Sequence, residues 1–309
     1  MKAAQINDYG DATAVKVVEV DKPTVNAGQV LVEVHAASLN PVDTIIRAGY
    51  MKEMVPLQFP VTLGGDIAGT VVEAGEGFGD LREGDVVYGQ ASAVAGNSGA
   101  FAEYAATAAG QIAKAPTNID IKEAASLPLV GVSALQVLSQ HIGLKEGQKI
   151  LITGGAGGIG SIAIQIAKHL GAYVAATASA DDIEAVKALG ADEVFDYKSQ
   201  DYTQNLKDYD AAFDTAGGDE LAKVTKVLKD DGVAVSMAGQ PAEDRDIKVV
   251  AQMTQISTKD LDQLRELVES GVVKPNVGKV FSLDDVQDAF TARESGTVKG
   301  KIVLEISKQ

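Results

Sequence analysis

Cysteine is absent from all 309 residues. A chain without thiols builds no disulfide framework and lacks the thiolates that hold most structural zinc. Histidine is scarce as well, with three residues at positions 35, 141 and 169. Their scatter reads as one strand residue and two helix-end residues that complement the helix dipole, so no ordinary zinc ligand set assembles and no metal is expected. Basic side chains are few: 27 against 43 acidic ones leave a net charge of −16. A polyanion is repelled on average by such a surface, which argues against a nucleic-acid partner. No apolar run reaches the roughly 18 residues that a membrane span needs, and the segment Met1–Asp8 has no apolar core of signal-peptide length. A soluble cytoplasmic protein is the expectation.

What is present divides by period. Residues 1–124 carry short β-branched runs such as Val15–Val20, Val30–Val34 and Gly69–Glu73, separated by glycine and proline turns. That stretch reads as a barrel or sandwich of antiparallel strands. From about 125 to 256, strands alternate with helices, the pattern of βαβ units and a parallel sheet. Strands are expected at 149–153, 172–177, 193–196, 210–214 and 232–237, with helices near 158–170, 181–189 and 218–228. Residues 257–309 change again, to a helix carrying Leu261, Leu264, Leu267 and Val268, then a strand, a second helix and the closing run Lys301–Ile306. Ser257 with Asp260 and Ser282 with Asp285 are suited to cap the two helices.

The apolar strand Lys149–Thr153 runs straight into Gly154-Gly155-Ala156-Gly157-Gly158-Ile159-Gly160, after which Ile159, Ile162, Ala163, Ile166 and Leu170 recur at helical spacing. In that setting Gly155 suits the tight turn, Gly157 the approach of a pyrophosphate, and Gly160 close packing of helix on strand. Free N–H groups, including those of Gly158 and Ile159, together with the positive end of the helix dipole, would hold the anion. A glycine-rich turn that binds nothing is the bland alternative. Which dinucleotide fits turns on the end of the next strand, about 20 residues on, where an acid would grip the ribose hydroxyls of NADH. The residues there are Ala176-Thr177-Ala178-Ser179. Ser179 can donate to a 2′-phosphate where a carboxylate would repel it, which favours NADPH. The following Ala180-Asp181-Asp182 supply no cation, so NADH stays open, and Ser179 also suits a helix cap.

Taken together, these residues resemble the medium-chain dehydrogenase/reductase superfamily, and within it the zinc-free quinone oxidoreductase group that includes zeta-crystallin. The blocks that carry the likeness are Ser38-Leu39-Asn40-Pro41-Val42-Asp43 with Arg47-Ala48-Gly49, Leu63-Gly64-Gly65-Asp66-Ile67-Ala68-Gly69, and Leu127-Pro128-Leu129-Val130-Gly131-Val132-Ser133-Ala134. The glycine loop, Ala188-Leu189-Gly190-Ala191-Asp192 with Asp196-Tyr197, and Lys299-Gly300-Lys301-Ile302-Val303-Leu304 continue the series. The resemblance implies an α/β chain in which a Rossmann doubly wound parallel sheet, 125–256, is inserted into a GroES-like, mostly β catalytic domain, 1–124 plus 257–309, with the active site in the cleft. It implies a homodimer paired through Ile247-Lys248-Val249-Val250. It places Ser133, Ser179, Tyr197 and Lys301 near the cofactor and Ala238-Gly239 beside the nicotinamide. Zinc-dependent relatives carry ligands at the positions matching Asn40 and Asp66.

Without a Lewis acid, the chemistry that follows is hydride transfer from NADPH to an acceptor already electrophilic, a quinone or an α,β-unsaturated carbonyl. Asn40 is the candidate donor to the developing anion, and Tyr50 a candidate proton donor. Asn40 also suits a turn before proline, and Tyr50 a surface position. Asp43 and Arg47, four residues apart, read as a structural pair. The rival readings are an enoyl-thioester reductase and a cofactor-binding protein with little turnover.

Overall fold

The computed structural model describes residues 1–75, 80–239 and 247–307. It divides into two compact units, Met1–Leu129 with Ile256–Glu269 and Pro275–Gln309, and Val130–Gln255 with Ser270–Lys274.

The first unit is built on a seven-stranded sheet whose spine is the long strand Gln29–Leu39. Asp66–Ala74 pairs with it antiparallel, and its other partners are Tyr104–Ala108 at the residue 29 end and Lys301–Glu305 at the residue 39 end. Val277–Ser282 joins Lys301–Glu305 in parallel, the one parallel pair of this sheet among the described residues. The register sets Ser38 opposite Asp66 and Leu39 opposite Ile302, so Asn40 and Lys301 meet at the end of the spine. Alternate residues of these strands, Val30, Val32 and Val34 among them, point into a core shared with Ile67, Phe101 and Phe290. A fully buried side chain of this kind contributes roughly 1.5–3 kcal/mol. The cap expected at Ser257 forms, the Asp260 N–H donating to Ser257 Oγ at 3.1 Å; at Ser282 the hydroxyl caps no backbone N–H and instead donates to the Asp285 carboxylate at 2.6 Å.

The second unit is a six-stranded parallel sheet. Its spatial order is Glu193–Asp196, Tyr173–Ala178, Lys149–Ile152, Tyr209–Asp214, Leu228–Ser236 and Lys248–Ala251. The order reverses between Lys149–Ile152 and Tyr209–Asp214, the switch point of a doubly wound fold, where ligands gather at the carboxyl ends of strands. The helix Gly158–His169 buries Ile162, Ile164 and Ile166. Two expectations need adjustment. The helix expected near 218–228 ends at Val224, because Val227 and Leu228 are drawn into the core and Leu228 begins the next strand, four residues earlier than its alternation suggests. A helix over Pro128–Leu135, continuing to Ile142, was missed: Val130, Val132, Ala134, Leu135, Val137 and Leu138 are all buried, so no polar face marks its period.

Candidate active site

In the second unit, the strand Lys149–Ile152 ends in a turn made by Gly154, whose φ of +67° lies in the left-handed region. The tight turn therefore falls one residue before Gly155. Gly155 packs instead: a Cβ there would stand 3.0 Å from Ile164 and 3.1 Å from Val186. A Cβ on Gly160 would lie 2.3 Å from the Gly154 carbonyl oxygen, so only glycine lets the helix start this close to the strand. Gly157 is the residue before that helix, and no side chain caps its first turn, which contains Gly158 and Ile159 and no acid. Uncapped N–H groups at the positive end of a 12-residue helix, at a switch point, have the chemistry that suits an anion. The cradle fits the pyrophosphate of a dinucleotide.

Around that cradle the structure reveals a buried carboxylate that the sequence reading passed over. Asp214, fully buried, accepts from Thr153 Oγ1 at 2.6 Å, Ser236 Oγ at 2.8 Å, and the N–H groups of Ala216 and Gly217 at 3.2 and 3.1 Å. It thereby fixes the loops after two neighbouring strands. Ala238 is held in the second of these, its N–H donating to Ser236 Oγ at 3.0 Å, and Gly239 follows with φ +124°. The run Asp214-Thr215-Ala216-Gly217-Gly218, an acid closing a strand before a glycine turn, was the available signal.

Ser133 is buried with its hydroxyl 2.6 Å from Thr254 Oγ1, and Tyr197 is half-exposed beside Lys198. Ser179 donates to Asp182 Oδ2 at 2.5 Å. Its hydroxyl thus serves the following helical turn, and a carboxylate lies at the end of the strand after all.

In the first unit, paired strands gather a dry cluster of charges. Asn40 is 1 % exposed; its amide Nδ2 donates to Asp66 Oδ2 at 2.8 Å and its Oδ1 accepts from Lys301 Nζ at 2.5 Å. An acceptor on one side and an ammonium on the other fix which end of the amide is which. Asp66, fully buried, also takes Ser38 Oγ at 3.1 Å and the Leu129 N–H at 3.1 Å, and Lys301 Nζ stands 3.9 Å away. Burial pushes the Asp66 carboxyl above its usual range, against the opposing pull of Lys301, Asn40, Ser38 and the Leu129 N–H. Burial likewise pulls Lys301 down, opposed by Asp66 and Asp43. Asp43 lies on the helix Pro41–Arg47, which begins at Asn40, and its Oδ2 accepts the Asn40 N–H at 2.7 Å. Burial raises it to about 7, the Asn40 N–H opposing.

The expected Asp43–Arg47 pair does not form. Asp43 turns back to satisfy the orphan N–H at the helix start, while Arg47 leaves the other side to meet Glu294 at 2.6 Å and the Gly10 carbonyl at 3.1 Å. Tyr50 is 82 % exposed.

A family model described as the alcohol dehydrogenase GroES-like domain matches residues 26–117, and one described as zinc-binding dehydrogenase matches 189–304. The chain is 34 % identical to a chloroplast envelope quinone oxidoreductase homolog of Arabidopsis thaliana, over 99 % of this chain and 98 % of that one. It belongs to the medium-chain dehydrogenase/reductase superfamily, in its quinone oxidoreductase group. A second relative in that superfamily, also from Arabidopsis thaliana, is the NADPH-dependent alkenal/one oxidoreductase, chloroplastic, 37 % identical over 98 % of this chain and 79 % of its own. Among solved structures of the group, the quinone oxidoreductase from Coxiella burnetii matches with TM-score 0.90 at 31 % identity and covers 99 % of both chains.

The superfamily's zinc-dependent branch prompts a test of fit for zinc. Among the described residues no three histidine, cysteine, aspartate or glutamate side chains converge, and the cation beside Asp66 is Lys301. These donors do not suit a zinc ion. The cytoplasmic expectation is corrected by the same superfamily members: the Arabidopsis relatives are named for the chloroplast, and a further one from Bos taurus is named mitochondrial. Lack of an apolar signal segment bears on secretion and leaves organelles unaddressed. Among the described residues no helix is long and apolar enough to cross a membrane.

Proposed function

We propose that this protein transfers hydride from NADPH to a quinone or an α,β-unsaturated carbonyl without zinc, as a homodimer. The observation that carries the reading is the uncapped helix start behind Gly154–Gly160, which fits a dinucleotide, in a chain 37 % identical to an NADPH-dependent alkenal/one oxidoreductase. When bound, NADPH supplies the hydride. The rest falls to the chain's own residues. Gly155, Gly157, Gly158, Ile159 and Gly160 receive the pyrophosphate, Ser133, Ser179 and Tyr197 flank the cofactor, and Ala238 with Gly239 border the nicotinamide.

Residues 125–256 make the dinucleotide domain in this assignment, and 1–124 with 257–309 the catalytic domain. Asn40, its amide held between Asp66 and Lys301, has one N–H left to offer the anion that develops on the acceptor. Lys301 acts through Asn40, since its ammonium reaches the Asn40 and Leu39 oxygens. The strand Lys248–Ala251 ends the parallel sheet and leaves an edge on which a second copy can pair.

The test is NADPH oxidation by the purified protein with a simple quinone and a simple enone, before and after a chelator. NADPH should be consumed faster than NADH with either acceptor, and chelation should change nothing. Equal rates with NADH remove the cofactor choice; loss of activity on chelation removes zinc independence; no turnover with either acceptor leaves a cofactor-binding protein.

A further inference from the structure

In a doubly wound sheet the pyrophosphate lies at the glycine turn and the adenosine ribose at the end of the strand that follows, so a 2′-phosphate projects beside that strand end. The two ends are tied together within the second unit. The Gly155 N–H donates to the Thr177 carbonyl at 2.8 Å and the Gly154 N–H to Thr177 Oγ1 at 3.1 Å. A phosphate there needs a cation, and the segment after Thr177 brings Asp181 and Asp182 instead. The next strand of the sheet supplies one. Glu193–Asp196 runs parallel to Tyr173–Ala178 with Asp196 beside Ala178, and the Tyr197 N–H donates to the Ala178 carbonyl at 3.2 Å. Tyr197 thus lies one strand spacing, about 4.8 Å, from the end of that strand, and Lys198 follows it. We propose that Lys198 binds the 2′-phosphate of NADPH and determines the choice of NADPH over NADH; the inference rests on the proposed binding of a dinucleotide at the glycine loop.

Three segments close the strands around this position, residues 153–160, 177–183 and 196–200, and Lys198 is the one basic side chain in them. It is exposed, its ammonium stands 5.7 Å from the centre of the Tyr197 ring, and no carboxylate among the described residues pairs with it. Two of the acids nearby are engaged elsewhere. Asp196 accepts the Lys198 N–H at 3.1 Å and the Ser199 hydroxyl at 2.6 Å, and its carbonyl takes the Gln200 N–H at 2.9 Å. Asp182 takes the Ser179 hydroxyl at 2.5 Å.

The bonds made by Asp196 fix the backbone of the turn and leave the Lys198 side chain to water. A lysine is a compact point charge on a flexible stem, and it meets a phosphate without having to match its shape. It discriminates by charge. The 2′-phosphate carries close to two negative charges and the 2′-hydroxyl of NADH none, so the ammonium strengthens the binding of one and leaves the other nearly unaffected. Asp182, on the neighbouring segment, acts in the opposite sense, which makes Lys198 the residue on which a preference for NADPH depends.

Lys198→Gln is the test, since it removes the charge at an exposed position and leaves the turn intact. The dissociation constant for NADPH, read by nucleotide fluorescence, should rise about 10-fold, the loss of one charge-assisted contact, while that for NADH should change less than about 2-fold. Fragments should divide in the same way, with 2′,5′-ADP weakened about 10-fold and 5′-ADP unchanged. Lys198→Arg keeps the charge and should hold NADPH binding within about 3-fold of the wild type. Lys187→Gln, at the lysine of the helix Ile183–Ala188 that pairs with Glu184, controls for the general field and should move neither constant by more than about 2-fold. Equal losses for NADPH and NADH in Lys198→Gln, no loss with either, or an NADPH loss as large in Lys187→Gln overturns the proposal. A wild type that binds neither nucleotide instead defeats the dinucleotide reading.

Discussion

Asp214 and Asp66 are both fully buried carboxylates, one in each unit, and they are used differently. Asp214 is surrounded by neutral donors, two hydroxyls and two backbone N–H groups, all from the ends of adjacent parallel strands. It organises backbone, and the glycine turn proposed to cradle the cofactor is built from backbone as well. Asp66 sits with a second carboxyl and a lysine drawn from positions 43 and 301. A buried charge met by neutral donors is satisfied by its scaffold; a buried cluster of like charges around one cation depends on that cation.

The largest effect that would break this contrast comes from Lys301→Met. Removing the cation leaves Asp66 and Asp43 buried without a counter-ion, at a cost of about 3–5 kcal/mol in urea unfolding at pH 8. Their folded-state affinities for protons already exceed the unfolded ones and would rise further. The loss should therefore be full above the folded values and shrink as pH falls towards 5 and the carboxyls take up protons. A loss that is small, or equal at both pH values, would show that the cluster is scaffold like Asp214. Next in size is Gly160→Ala. With its Cβ 2.3 Å from the Gly154 oxygen, the helix start must retreat, and NADPH affinity should fall about 100-fold by fluorescence titration. A fall below about tenfold would mean that the cradle tolerates side-chain bulk and that backbone approach is not its basis. The smallest is Asp182→Ala. It frees the Ser179 hydroxyl and removes a carboxylate from the end of its strand, so the ratio of NADPH to NADH affinity should rise about 5- to 10-fold. An unchanged ratio would place that carboxylate away from the 2′-position.

The two regions also differ in how far they could be read in advance. The cradle is largely local: strand, glycines and helix follow one another within 21 residues, and Gly157 and Gly160 both answer to the nearby Gly154 carbonyl, while Gly154 and Gly155 also meet the more distant Thr215 and Val186. Even there the turn residue was misplaced by one, because Gly154 and Gly155 are alike in sequence and only φ separates them. By sequence Ser179 suits either a donor to the cofactor or a helix cap, and its hydroxyl is held by Asp182, three residues on. Asp43 and Arg47 were read as a pair from their spacing. Spacing puts both on one helix, and it does not reveal that Glu294 lies on the far side to claim the arginine.

What the sequence by itself determined is whatever depends on neighbours along the chain: the periods that separate the antiparallel unit from the parallel one, the serine cap at 257, the glycine loop, and the absence of thiolate ligands. What only the tertiary structure decided is the company of Asn40. Lys301 lies 261 residues away and arrives because Lys301–Glu305 pairs with Gln29–Leu39; Asp66 arrives because its strand pairs with the same spine. The energy of a proton there depends on how many charges meet and how little water reaches them, and both are set by packing.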